Sequence, residues 1–205
     1  GVNHKTAPIG VREKLSFPAS DLKNPLDRLT SLDHVEEGLI LSTCNRVEIY
    51  TATSNRLAAF DNVKNFLAAD RELTPKEIYP HLYCHQSLPA VSHLFRVTSS
   101  LDSMVLGETQ ITGQVKKAYQ NALENRSSGS YLNRLLNRAL FVAKKVRTET
   151  GISRHPVSVG QAAVSLVCHI PLAYRGGRRV LSVCRSKIGG AASHRRAAVP
   201  SPDLM

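Results

Sequence analysis

One cysteine stands between a threonine and an asparagine in Leu41-Ser42-Thr43-Cys44-Asn45-Arg46, with an arginine two residues on. The thiolate is the reactive form of cysteine, and nearby cations or free backbone N–H groups favour it. Arg46 offers the charge, and a turn at a strand end offers the N–H groups. The competing role is that of a small buried hydrophobe, the commoner fate of a cysteine, and the local residues alone favour it. No cysteine-protease signature surrounds Cys44.

A second polar set lies in the stretch LDSMVLGETQITGQ. Ser103, Glu108, Gln110 and Gln114 place hydroxyl, carboxylate and amide groups at the entry to a helix. Such groups suit an amino-acid-like ligand, whose ammonium wants a carboxylate and whose carboxylate wants Arg or amide donors. Helix capping with a solvated surface accounts for the same residues. His93, in AVSHLFRV, lies on an apolar helical face, where a hydrogen-bonded core role is the default and proton transfer the alternative. His81, Cys84 and His85, taken with His93 or Cys44, match no common zinc spacing, so no metal site is expected.

These residues need elements to position them. EGLILS (37–42) and VEIYTAT (47–53) are rich in aliphatic and β-branched residues and predict two strands, with TCNR as the turn between them. Ser54 or Asn55 offers an N-cap for a helix whose apolar stripe is Leu57, Phe60, Val63, Phe66 and Leu67. An earlier helix begins at Ser20 or Asp21 and is expected to be interrupted by Pro25. The segment from 88 to 125 reads as helical at both ends with the polar stretch SSLDSMVLGET between. In its second helix Val115, Ala118, Tyr119 and Ala122 form a stripe, and Lys116 and Lys117 face away. A long helix follows near 130–150, with Leu132, Leu135, Leu136, Ala139, Leu140, Ala143 and Val146 on one face, ended by a left-handed Gly151. VSVGQAAVSL is a further helical expectation.

The 205 residues carry a net charge of +11, with 42% hydrophobic residues, ample for a core. Residues 171–205 hold seven Arg/Lys against the single acid Asp203, a balance of +6, and the preceding 170 residues carry only +5. The body is thus mildly basic, a weak argument for a polyanionic partner. No apolar run approaches the roughly 20 residues of a membrane span. The opening GVNHKTAPIG lacks a signal-peptide layout, so a cytoplasmic protein is expected, with upstream residues missing because Gly stands first. Four scattered cysteines and no C-x-x-C predict free thiols. RRVLSVCRSKIGG resembles the start of a nucleotide-binding unit, yet Gly-x-Gly-x-x-Gly is absent: Cys184, Arg185 and Ser186 occupy the turn, and side chains there block approach to a pyrophosphate. No cofactor-binding residues are assigned.

Together GVNHKTAP, LSTCNRVEIY, AVSHLFRV, SLDSMVLGETQITGQVKKAY and AKKVRTETGIS…VSVGQAAVSL resemble the glutamyl-tRNA reductase family over residues 1–170. The resemblance implies an α+β catalytic domain over 1–150, a small mostly antiparallel sheet with helices packed on it. A long connecting helix would follow, its last segment at 151–170. It implies an oxidoreductase of porphyrin (tetrapyrrole, heme) biosynthesis that reduces glutamyl-tRNA to glutamate-1-semialdehyde with NADPH through a cysteine thioester. On that reading Cys44 is the nucleophile and His93 supports activity. Thr43, Asn45 and Arg46 flank the glutamyl group, and Ser103, Glu108, Thr109, Gln110 and Gln114 contact substrate. Family partners would be glutamyl-tRNA, the downstream semialdehyde aminomutase and a second copy of the chain. Two departures stand out. Thr109 replaces a usual proline. Residues 171–205 form an aberrant basic tail in place of the NADPH-binding Rossmann and dimerisation domains, such as a frameshift or premature end creates. The chain is therefore expected to form or hydrolyse the thioester without reducing it. The alternative is a non-catalytic tRNA-binding fragment using Lys116, Lys117, Lys144, Lys145 and the tail.

Overall fold

The computed structural model describes residues 1–18 and 21–153; the expected helix after 156, the strand-like RRVLSV and the tail lie outside the described residues, as does the Ser20 cap. The fold is α+β. Three strands, β1 (Val2–Asn3), β2 (Glu37–Ser42) and β3 (Arg46–Ala52), form an antiparallel sheet in the order β1-β3-β2. Among the described residues seven α-helices accompany them: α1 (Ile9–Leu15), α2 (Lys23–Thr30), α3 (Arg56–Asp70), α4 (Pro75–Ile78), α5 (Leu88–Thr98), α6 (Gln110–Glu124) and α7 (Ser130–Glu149). None of these helices is long and apolar enough to cross a membrane.

The sheet is covered on both faces, which explains why β2 is a continuous apolar run rather than an alternating one. Successive strand residues point to opposite sides. Ile40 therefore joins a core with Val47, Leu15, Leu26, Leu29, Phe66 and Ile78. Leu39 and Leu41 join a second core with Leu94, Val97, Val115, Ala118, Leu132 and Leu136 from α5, α6 and α7. The long helix α7 is thus part of the domain's core.

Several expectations are corrected. Pro25 does not interrupt α2, because it falls in the first turn, where a missing N–H costs no helical bond. Asn55 caps α3 by accepting from Ala58 N–H, but Leu57 is 75% exposed. The buried face runs through Ala59, Phe66 and Leu67, and two residues back from Ala59 is about 200° around the helix. Gly151 does not take a left-handed cap; α7 ends because Thr150 turns extended (φ −119, ψ 160), its N–H still bonded to Val146 O.

The start of α7 is held from the sheet. Its N-cap, Gly129, has no side chain to offer, and the buried Glu37 carboxylate accepts instead from Tyr131 and Leu132 N–H at 3.0 and 2.8 Å. A Cβ on Gly129 would lie 2.6 Å from that carboxylate. Glu37→Ala should therefore destabilise the domain by about 1–3 kcal/mol, by orphaning one buried and one part-buried donor. Urea denaturation checks this, with the Glu37→Gln variant expected to lose less.

Candidate active site

The β2–β3 hairpin closes through Thr43, Cys44 and Asn45. Thr43 N–H donates to Arg46 O at 2.8 Å, and Thr43 Oγ1 accepts from the Asn45 and Arg46 N–H groups at 3.2 and 3.0 Å. The threonine hydroxyl thus ties the turn from inside, a local bond that threonine is suited to make. The turn is also gripped from outside. His4 N–H donates to Asn45 O at 3.0 Å, Phe17 N–H to Ser42 Oγ at 2.9 Å, and Arg12 Nη1 to Cys44 O at 2.7 Å. At the tip of this immobilised turn Cys44 is exposed. Its sulfur is therefore not packing material.

Arg46 lies beneath the turn, 2% exposed, and is held by two carboxylates. Its Nη1 donates to Glu48 Oε1 at 2.7 Å, and its Nη2 reaches both the backbone carbonyl and, at 3.3 Å, the carboxylate of Asp102. Lys5 pairs with the same Asp102. Glu48 also accepts from the hydroxyls of Tyr50 and Tyr83, and His93 Nε2 lies 2.8 Å from its Oε1. Burial alone would raise the Glu48 carboxyl, but the His93 hydrogen bond and the Arg46 charge outweigh it and hold it down at about 2. Burial and the Glu48 charge push both phenols up, so Tyr50 and Tyr83 stay protonated and donate. Burial, with Lys5 and Arg46 as cations nearby, lowers the His4 imidazole and keeps it neutral at pH 7.

The polar loop after α5 reaches this network through Asp102. Ser100 and Gly107 take left-handed backbone (φ 63 and 82), folding the loop back so that Gly107 N–H meets Ser100 O at 3.2 Å. Ser100 Oγ donates to Glu108 O at 2.7 Å. A Cβ on Gly107 would stand 2.2 Å from Ile152 O, so glycine is required there twice over. Ser103, Glu108 and Gln114 are half-buried, and Thr109 and Gln110 are exposed. Thr109 stands at the N-cap of α6 without making a side-chain cap bond, so capping does not account for it. Gln110 and Gln114, one helical turn apart, share a face of α6.

The family model described as "Glutamyl-tRNAGlu reductase, N-terminal domain" matches residues 1–150. The chain belongs to the glutamyl-tRNA reductase family. It is 51% identical over 170 residues to the glutamyl-tRNA reductase of Magnetococcus marinus, covering 83% of this chain and 40% of that one. To the reductase of Pelobacter propionicus it is 50% identical over 166 residues, 81% of this chain and 38% of the other. Among solved structures, glutamyl-tRNA reductase from Methanopyrus kandleri superposes with a TM-score of 0.61 at 32% identity, covering 81% of this chain and 38% of that one. The chain thus spans about two-fifths of the length of the curated reductases it matches.

Within this domain, Thr43, Cys44, Asn45 and Arg46 meet at one turn, and Asp102 ties the loop carrying Ser103 and Glu108 to Arg46. His93 enters through Glu48. Sequence reasoning missed Arg12, Lys5, Glu48 and Asp102. Lys5 lies inside GVNHKTAP, Glu48 inside LSTCNRVEIY and Asp102 inside SLDSMVLGETQ, so each stretch carried the signal without showing what its charge was for. The described residues do not form a Rossmann-type dinucleotide site. Their sheet is antiparallel, and the strand-to-helix connections, 4–8 and 53–55, contain no glycine to admit a pyrophosphate. A cleft of about 210 Å³ beside β3 is lined by Glu48, Tyr50, Tyr83, Cys84 and His93, and Cys44 does not line it.

Proposed function

We propose that this chain carries out the acyl-transfer half of the NADPH-dependent reduction of glutamyl-tRNA to glutamate-1-semialdehyde, the first step of tRNA-dependent tetrapyrrole synthesis. The observation that supports it is an exposed cysteine at the tip of a turn held from three sides, with the neighbouring Arg46 bonded to Asp102 in the polar loop before α6. The Cys44 thiolate attacks the carbonyl carbon of the ester joining glutamate to the 3′-terminal adenosine. The C–S bond forms and the C–O bond breaks. The ribose oxygen leaves and takes up a proton, restoring the tRNA hydroxyl and leaving a glutamyl thioester. An aminoacyl ester is already activated and a thiolate is a good nucleophile, so no dedicated base is needed.

On this reading Glu108 pairs with the substrate ammonium, and Ser103, Thr109, Gln110 and Gln114 donate to its carboxylate. Thr43 and Asn45 frame the sulfur. Arg46 and His93 act as positioning residues, through the buried Glu48. NADPH supplies hydride in the full reaction, and no step through it follows from the described residues. Cytoplasmic location, a homodimer and a receiving aminomutase belong to the same reading.

Charged glutamyl-tRNA incubated with the chain, with and without NADPH, tests the proposal. Slow deacylation independent of NADPH is expected, as the thioester passes to water. NADPH-dependent aldehyde would overturn the restriction to acyl transfer, and an absence of deacylation would overturn the catalytic reading. A non-catalytic tRNA-binding role has one observation in its favour: Lys116, Lys117, Lys144 and Lys145 are all exposed. It requires binding with a steep salt dependence that is indifferent to charging.

A further inference from the structure

We propose that Arg12 is a positioning residue for acyl transfer, fixing the Cys44–Asn45 peptide and so aiming the sulfur at the ester carbonyl. The proposal rests on the reading of Cys44 as the nucleophile. Arg12 sits in the short helix α1 and is 9% exposed. Its Nη1 donates to the backbone carbonyl of Cys44 at 2.7 Å and to Asn45 Oδ1 at 3.3 Å, and its Nε to Ala7 O at 3.2 Å.

What sets Arg12 apart is the company it lacks. The other deeply buried arginine, Arg46, is neutralised by Glu48 and Asp102. Arg12 makes no ion pair among the described residues, and all its acceptors are uncharged. A buried cation without a counter-charge is costly. An aliphatic side chain beside Leu15 would pack α1 with less penalty, so stability of the helix is a poor reason for an arginine at this position. Its geometry offers a better one. The planar guanidinium spans two separate segments at once, the connection before α1 and the nucleophile's own carbonyl, using two edges of one rigid fork. A lysine, a single point donor on a flexible stem, cannot hold both. Among the described residues the Cys44 carbonyl has no backbone partner, so Arg12 sets the orientation of that peptide and with it the direction of the Cα–Cβ bond that carries the sulfur. Attack on an ester tolerates little misalignment, and a displacement near 1 Å costs about a hundredfold.

The test uses the full chain as Arg12→Lys, Arg12→Gln and Cys44→Ser, each assayed for single-turnover glutamyl-tRNA deacylation with the chain in excess (kcat and KM being its saturating rate and half-saturating concentration), urea midpoint and iodoacetamide modification of the Cys44 peptide by mass spectrometry. Arg12→Lys should fold normally and lose about thirtyfold in kcat with KM within about twofold. Arg12→Gln should lose more. In both, modification of Cys44 by the small reagent should stay within about threefold, because an exposed thiol needs no aiming to meet a freely diffusing electrophile. Wild-type kcat in the folded variants would overturn the proposal. So would a parallel loss of kcat, alkylation rate and urea midpoint, which signals a scaffold role only. Should Arg12→Gln not fold, Arg12→Lys decides. Full turnover in Cys44→Ser would refute the nucleophile itself, an outcome separate from any result at Arg12.

Discussion

Cys44→Ser should lower glutamyl-tRNA deacylation by roughly three orders of magnitude and leave the urea midpoint where it is. The two halves of that expectation come from the same geometry. The side chain is exposed, so trading sulfur for oxygen removes no packing. A serine hydroxyl, unlike a thiol, stays un-ionised near neutral pH and needs a base to attack. Among the described residues no base is in hydrogen-bond contact with residue 44, and His93 is committed to Glu48. Cys84 is the internal control. It is also an exposed thiol, but it lines the separate cleft beside β3, and Cys84→Ser should leave turnover unchanged. Retained turnover in Cys44→Ser, with loss in Cys84→Ser, would move the chemistry to that cleft.

Glu48→Ala is expected to be the most damaging single change to stability, by about 3–5 kcal/mol. Glu48 is 3% exposed, and its one carboxylate serves Arg46, His93, Tyr50 and Tyr83. Its removal leaves the 2%-exposed Arg46 with Asp102 as its remaining carboxylate and strands two phenols and an imidazole. The pair is coupled, so replacing both members by Arg46→Met and Glu48→Leu should cost less than the two single changes added together. A Glu48→Ala midpoint matching wild type would contradict the network. Acid provides an independent check. Folding depresses the Glu48 carboxyl from 4.5 to about 2, so its contribution is complete above the unfolded value. That contribution is lost as pH falls from about 4.5 through about 2, with stability decreasing in that direction. Activity should fall with it, because the network anchors Asp102 and the loop that follows.

Much of this was legible in the sequence where burial follows local pattern. EGLILS is apolar on both sides because helices cover both faces of β2, and the Val115-Ala118-Tyr119-Ala122 stripe follows the helical period. Leu57 misled because hydrophobicity alone does not say which face a helix buries, and small Ala59 carries the contact instead. Gly151 misled because a helix can also end by extending one residue, as Thr150 does. The site was half visible. Cys44 and the loop residues stand out by type, but Arg46 meets Asp102 across 56 residues, and Arg12 meets Cys44 across 32. Nothing in the short, charged GVREKL marks which of its cations turns inward, and that pairing belongs to the tertiary fold.

The measurement closest to the central claim is mass spectrometry of the intact chain, quenched in acid within the first turnover on glutamyl-tRNA. A mass increase of one glutamyl group, mapped to the Cys44 peptide, released by hydroxylamine and absent from Cys44→Ser, is the predicted result. Deacylation proceeding at full rate with no adduct on Cys44 would contradict it.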